Sequence, residues 1–208
     1  MSQQPGLRER KKQRTRETIA RAAHELFAER GYHETTLPDI AAAADVSTRT
    51  IFAYFPSKED ILFSEFPVMK EALEQALAER PEGEEALETV REFILSSHGI
   101  EKSEVEEQVG RCVENDETLR SHLRARIAQL EDVIAAAIAK DIGAPKDDLR
   151  PHVVAASLTA AFIVLSERGG ARPKPKSRAD VAAQIDPVIT FLRGGLEALK
   201  QPDKKRRR

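Results

Sequence analysis

Between Ser47 and Lys58 the chain sets short hydroxyls, one guanidinium, one phenol and one ammonium at helical spacing: Ser47, Thr48, Arg49, Thr50, Tyr54 and Lys58. These are the groups that meet nucleic acid. An arginine can bond a guanine edge bidentately, and hydroxyls, phenols and ammonium groups hold phosphate oxygens. Ile51 and Phe55, four residues apart, share the opposite face with Val46 in the preceding turn and can pack inward. The expected roles are base contact for Arg49 and Thr50 and phosphate contact for Tyr54 and Lys58. Thr36, Ser47 and Thr48 complete the candidate DNA-contacting set.

Three helix starts position this face. Thr36 with Asp39 three residues on is a capping-box pattern, and Pro38 suits a first turn because its missing N–H would have no partner there. Ser47 is a second N-cap, and Ser57 with Asp60 a third. A helix of about two turns, a tight turn at Ala44-Asp45-Val46, and a second short helix stopped by Pro56 follow. Two short helices joined in this way form a helix-turn-helix, whose second helix enters the DNA major groove. The plainer alternative is an ordinary helical hairpin.

The run Phe27-Ala28-Glu29-Arg30-Gly31-Tyr32, the pair Thr35-Thr36, and Ile40-Ala41, Val46-Ser47, Thr50-Ile51, Tyr54-Phe55 and Ser57-Lys58-Glu59 carry a resemblance. Over roughly Arg14 to Phe66 the chain resembles the tetracycline-repressor-like (TetR) family of bacterial regulators. The resemblance implies a homodimeric transcriptional regulator, most often a repressor, released from a palindromic operator by a small molecule. Two departures stand out. Arg49 replaces a frequent Gly and adds a base contact, and Phe52 replaces a frequent Tyr and removes a hydroxyl that commonly touches phosphate.

Composition agrees with an all-α protein and bounds its setting. Of 208 residues, 40% are hydrophobic and 33% charged, and the helix formers Ala, Leu, Glu and Arg dominate. The apolar run Val153 to Leu165 is shorter than the ~20 residues a bilayer requires, so no membrane is expected. One Cys and no secretory pattern fit a cytoplasmic location. The net charge of −2 is unevenly placed: residues 1–21 hold seven basic and two acidic groups, and residues 67–203 carry −7. An electropositive beginning on an acidic chain is the pattern of a head that alone meets a polyanion.

The expected organisation is a disordered basic arm at 1–13, a three-helix DNA-binding head at 14–57, a six-helix ligand-binding and dimerisation body at 58–200, and a disordered basic tail at 201–208. A first helix with Ile19, Ala22, Ala23, Leu26 and Phe27 on one stripe ends at Gly31. The fourth should run from Lys58 to about Ala78, bent at Pro67 and serving as the lever between head and body. Further helices begin before Leu87, at Ser103, at Asp116, at Asp148 and at Arg178. Two helices, Asp148 to Arg168 and Arg178 to Lys200, should pair with a second copy. Val154, Leu158, Phe162, Leu192, Gly195 and Leu196 are the candidate interface, with small residues at Gly194, Gly195 and Ala198 allowing close approach.

Catalytic and metal chemistry find no support in the spacing. None of the five histidines has a partner at helical metal-site spacing, no glycine loop cradles phosphate, and Cys112 falls on an apolar stripe. Neither an enzyme nor a cofactor is expected. The expected partners are a double-stranded DNA operator, a second copy and a small-molecule effector of unknown identity. Candidate effector contacts are Phe93, His98, Cys112, Asn115, His122 and Phe162, for each of which a structural role is the stronger reading. Two rival functions are a non-specific nucleoid-type DNA binder and a degenerate family member acting through ligand or protein binding alone; the outward Thr48, Arg49, Thr50, Tyr54 and Lys58 argue against the second.

Overall fold

The computed structural model describes residues 6–97, 103–167 and 177–200. Among them the only regular elements are helices: α1 (Leu7–Arg30), α2 (Leu37–Ala43), α3 (Thr48–Tyr54), α4 (Lys58–Leu62), α5 (Phe66–Glu79), α6 (Ala86–Ser97), α7 (Glu104–Glu114), α8 (Glu117–Ile142), α9 (Arg150–Glu167) and α10 (Arg178–Lys200). The chain divides into two compact units. One holds residues to Phe66 with Lys102–Leu123, the other Pro67–Glu101 with Arg124 onward. No helix among the described residues is long and apolar enough to cross a membrane.

In the first unit the stripe read on α1 forms the centre. Ile19, Ala23 and Phe27 are fully buried, and Ile40, Ile51, Phe55 and Ile61 close over them from α2, α3 and α4. From the other side come Val113 of α7 and Leu119 of α8. Thus α4 and α7, both expected in the body, contribute to the core of the head, because their apolar residues find their cover on α1. His24 fastens α4 in place: its Nε2–H donates to the carbonyls of Ile61 and Leu62 at 3.2 and 3.1 Å, satisfying the last turn of that helix.

Two expectations about helix limits are overturned. The arm expected to be disordered to Gln13 is helical from Leu7 onward. Gly6 accepts the first backbone bond, from Arg10 N–H at 3.0 Å, and the run of Arg, Glu, Lys and Gln that follows has high helix propensity. Residues 1–5 lie outside the described set, as does the tail at 201–208. The long fourth helix bent at Pro67 is instead two helices. α4 stops at Leu62, and α5 starts at Phe66 with Pro67 in its first turn, where proline costs no hydrogen bond.

The second unit packs α5, α6, α9, α10 and the rest of α8 around Leu73, Leu87, Ile138, Leu158, Ile185 and Leu192. Arg80 pairs with Asp141, which also accepts the Ala86 N–H at 2.6 Å at the start of α6. Arg91 Nε holds Asp186 at 2.6 Å and Arg193 Nη2 holds Glu88 at 2.9 Å, so α6 and α10 are tied at both ends of their contact. Pro187 neither starts nor stops a helix; it sits inside α10 on the exposed side.

Candidate nucleic-acid interface

The pair α2–α3 is built as the caps dictate. Thr36 Oγ1 accepts the Asp39 N–H at 3.3 Å, and Asp39 returns the bond to the Thr36 N–H at 2.9 Å, a complete capping box. The turn then needs one left-handed residue, and Asp45 supplies it at φ 52°; Asp tolerates that conformation better than most non-glycine residues. Ser47 Oγ accepts the Thr50 N–H at 3.0 Å and starts α3. Ile51 and Phe55 point into the core, as their spacing predicts, which fixes the roll of α3 and turns the remaining residues outward.

The outward groups differ in what they have left to offer. Arg49 is exposed near the N-terminal end of α3, and among the described residues its guanidinium has no ion-pair or hydrogen-bond partner. Thr48 and Thr50 are half-buried, and the Thr50 hydroxyl already lies 2.8 Å from that of Ser47. Thr36 and Ser47 are exposed but serve first as caps. Tyr54 is half-buried against the head's core, with its carbonyl taken by Arg16 Nη1 at 3.0 Å. Phe52 was absent from the candidate set, yet it is 54% exposed on α3. Its signal was available, since it follows Ile51 and precedes Ala53 and so faces away from the core.

Lys58 departs from its expected role. Its Nζ donates to the Tyr32 and Thr35 carbonyls, each at 2.9 Å, and lies 4.0 Å from the centre of the Tyr32 ring. Burial lowers its pKa from the ordinary lysine value, with Glu59 acting in the opposite sense. The ammonium thus spends two of its three donors bracing the loop between α1 and α2. Lys58→Gln should lower the head's stability by roughly 1–3 kcal/mol in denaturant titrations while leaving the salt dependence of DNA binding nearly unchanged. A salt slope reduced by about one with unaltered stability would restore the phosphate role.

Two carboxylates of the head are held below their ordinary range. Asp39 is held below the ordinary aspartate range by the Thr36 hydroxyl and then by its backbone N–H. Asp116, which caps α8 through the Leu119 N–H at 2.9 Å, is lowered first by that bond and then by His33, 2.5 Å away. Groups with depressed folded values contribute stability above their unfolded pKa of about 3.9 and lose it as pH falls through the folded value. The head should therefore melt at progressively lower temperature as pH is taken below about 4, and Asp116→Asn should remove part of that dependence.

The other candidate residues are not brought to one place. Cys112, Asn115 and His122 belong to the first unit, Phe93 and Phe162 to the second, and His98 lies outside the described residues. Cys112 donates to the Phe27 carbonyl at 3.5 Å, and Asn115 forms the exposed C-cap of α7. In the second unit an open depression of about 320 Å³ lies on α5 and α8, lined by Leu77, Arg80, Val133, Ala137 and Lys140 among others, and by none of the six. Of the candidate interface, Val154, Leu158, Leu192 and Leu196 are buried in the chain's own core, because the stripe that repeats most regularly is the one α9 and α10 use to pack within the unit. Their outward faces carry Val153, Ser157, Ala160 and Val164 on α9 and Pro187, Phe191, Gly194 and Ala198 on α10. Gly195 is exposed with open space around it.

A helix-turn-helix built on a capped pair, with a polar outward second helix, defines a DNA-binding regulator. Residues 19–64 match the family model of bacterial regulatory proteins of the tetR family, and residues 84–197 match that of the MftR C-terminal domain. The chain is 35% identical to the HTH-type transcriptional regulator TcmR of Streptomyces glaucescens, over 78% of this chain and 76% of that one. The chain therefore belongs to the TetR family, and it is a DNA-binding transcriptional regulator. Two solved structures share its fold. NalD, the secondary repressor of the MexAB-OprM multidrug efflux pump in Pseudomonas aeruginosa, has a TM-score of 0.61 at 20% identity, covering 86% of this chain and 96% of that one. Thermus thermophilus FadR, a repressor solved with lauroyl-CoA, has a TM-score of 0.57 at 28% identity, covering 86% and 94%.

Proposed function

We propose that this chain acts as a homodimeric repressor on a palindromic operator and leaves it when a small molecule binds the body. The observation that carries the dimer is the outward stripe Val153, Ser157, Ala160 and Val164 on α9 beside Pro187, Phe191, Gly194 and Ala198 on α10, uncharged between Asp180 and Glu197. Phe191 is 76% exposed there, with Gly194 and Ala198 one and two turns on, a surface that favours close helix approach over contact with water. A two-fold dimer presents two recognition helices about 34–36 Å apart, the spacing that half-sites on one face of B-DNA require. Arg49 and Thr50 read bases near the N-terminus of α3, and Phe52 meets a thymine methyl, the apolar group the major groove offers. Release follows if the effector favours a body conformation in which the two heads no longer match that spacing.

The decisive experiment is selection of bound duplexes from a random-sequence pool, with sedimentation of the protein alone and on the selected DNA. This function requires a sequence with a two-fold axis, bound by two copies. Uniform binding to all sequences would support a nucleoid-type protein instead, and no binding a degenerate family member. Lauroyl-CoA, the compound in the FadR structure, is a first probe for release, read as a loss of operator affinity on titration.

A further inference from the structure

The inward stripe of α1 continues past the edge of the head as a basic one. Arg8, Lys12, Arg16, Ile19 and Ala23 follow one another at helical intervals on a single face, apolar where the head covers it and cationic where it does not. Arg16 marks the edge. Its Nη1 donates to the Tyr54 carbonyl at 3.0 Å and its guanidinium lies 4.3 Å from the centre of the Phe55 ring. That double hold fixes α1 beside the C-terminal end of α3. Lys12 and Arg8 then stand about 6 and 12 Å further along the helix axis, on the same side and exposed. The overhang from Leu7 to Arg14 holds five basic residues against Glu9 alone, whose contact with Lys12 is a solvent-exposed 3.9 Å.

We propose that this helical overhang lies along the DNA backbone outside each half-site, with Arg8 and Lys12 on its phosphates. The inference rests on operator binding as proposed above. In a helix-turn-helix the N-terminal residues of the second helix face the bases, so an element clamped to the other end of α3 meets the sugar-phosphate edge. Duplex DNA offers a charge about every 1.7 Å there, sequence-independent and continuous beyond the palindrome. Because the segment is already helical, less conformational entropy is lost on docking than a disordered tail would lose.

The test uses the full chain and the palindrome it selects from a random pool, with flanks trimmed or extended by about half a turn and a full turn of DNA, ~5 and ~10 base pairs. The native chain should gain affinity with flank length, and R8Q/K12Q should not. Four lost contacts per dimer, at about 0.9 in slope each, mean that the native chain loses on the order of 10²-fold more affinity than R8Q/K12Q between 50 and 200 mM salt. R10Q/R14Q removes the same charge from the opposite face and should keep most of the flank gain. Both variants should melt with the native protein, since all four residues are exposed. Retention of flank gain and salt slope by R8Q/K12Q overturns the proposal, as does an equal loss in both variants, which would leave a diffuse cationic field. If no palindrome is selected, the regulator reading fails separately, and the slopes of the two variants on random-sequence duplex still decide the role of the overhang.

Discussion

Alanine in place of Arg49 should weaken binding to the selected operator by about 1–3 kcal/mol and relax preference at one base pair, without changing the melting temperature. The expectation rests on what the side chain does in the protein without DNA. Among the described residues it supports nothing, being exposed and unpartnered near the start of α3. Its neighbours cannot supply its charge or its paired donors: Ser47 is spent on the Thr50 N–H, and the Thr50 hydroxyl, within bonding distance of Ser47, offers a base at most a single bond. Arg49 therefore concentrates on one side chain the bidentate capacity that a guanine edge rewards. Measured against random-sequence duplex, the same variant should lose far less, about what one phosphate contact is worth. Equal losses on selected and random DNA would make Arg49 a backbone contact and pass the reading of sequence to Thr48, Thr50, Phe52 and Ala53.

Phe191→Glu should convert the protein to monomers that keep their fold but lose on the order of 10²–10⁴ in operator affinity, the gain that linking two half-site contacts supplies. Phe191 is 76% exposed, so within one chain its removal breaks few contacts. In the proposed dimer a carboxylate there would be desolvated by the second copy without a partner. The contrasting substitution is Leu196→Glu, five residues along the same helix but only 7% exposed and packed in the core of its own unit. That charge would be buried within the chain and should unfold the second unit rather than separate two folded copies. Sedimentation with thermal melting distinguishes the outcomes. A Phe191→Glu protein that still sedimented as a dimer would place the interface on other helices.

Much of the recognition element could be read directly from residue types because it is local. Thr36 with Asp39, Ser47 with the Thr50 N–H and Ser57 with the Asp60 N–H act across three residues, so their geometry follows from the chain itself. The inward turn of Ile51 and Phe55 is likewise a matter of period, and with it the outward face of Arg49. Ser103 opened α7 for the same reason, and at α10 the Ser177 hydroxyl accepts the Asp180 N–H one residue before the expected start at Arg178.

What the residues could not decide alone were questions of which surface meets which. A regular apolar stripe says that a face is covered, not by what. Leu192 and Leu196 fit a dimer seam as well as an intrachain core, and only the packing of α9 and α10 against α6 and α8 assigned them to the core and left Phe191 outside. Lys58 has the charge of a phosphate contact; two carbonyls 26 and 23 residues earlier in the chain claimed it as a brace. The apolar spacing on both sides of Pro67 predicts one bent helix, and the backbone instead starts a new one there because a first turn needs no proline N–H. The basic residues before Arg14 composed a tail until the helix carried them into register with Arg16. Types and periods determined most of the helices and the outward face of α3, since both depend on neighbours in sequence. Burial, bracing and the aim of the overhang depend on contacts between residues far apart in the chain, and only the folded head and body supply those.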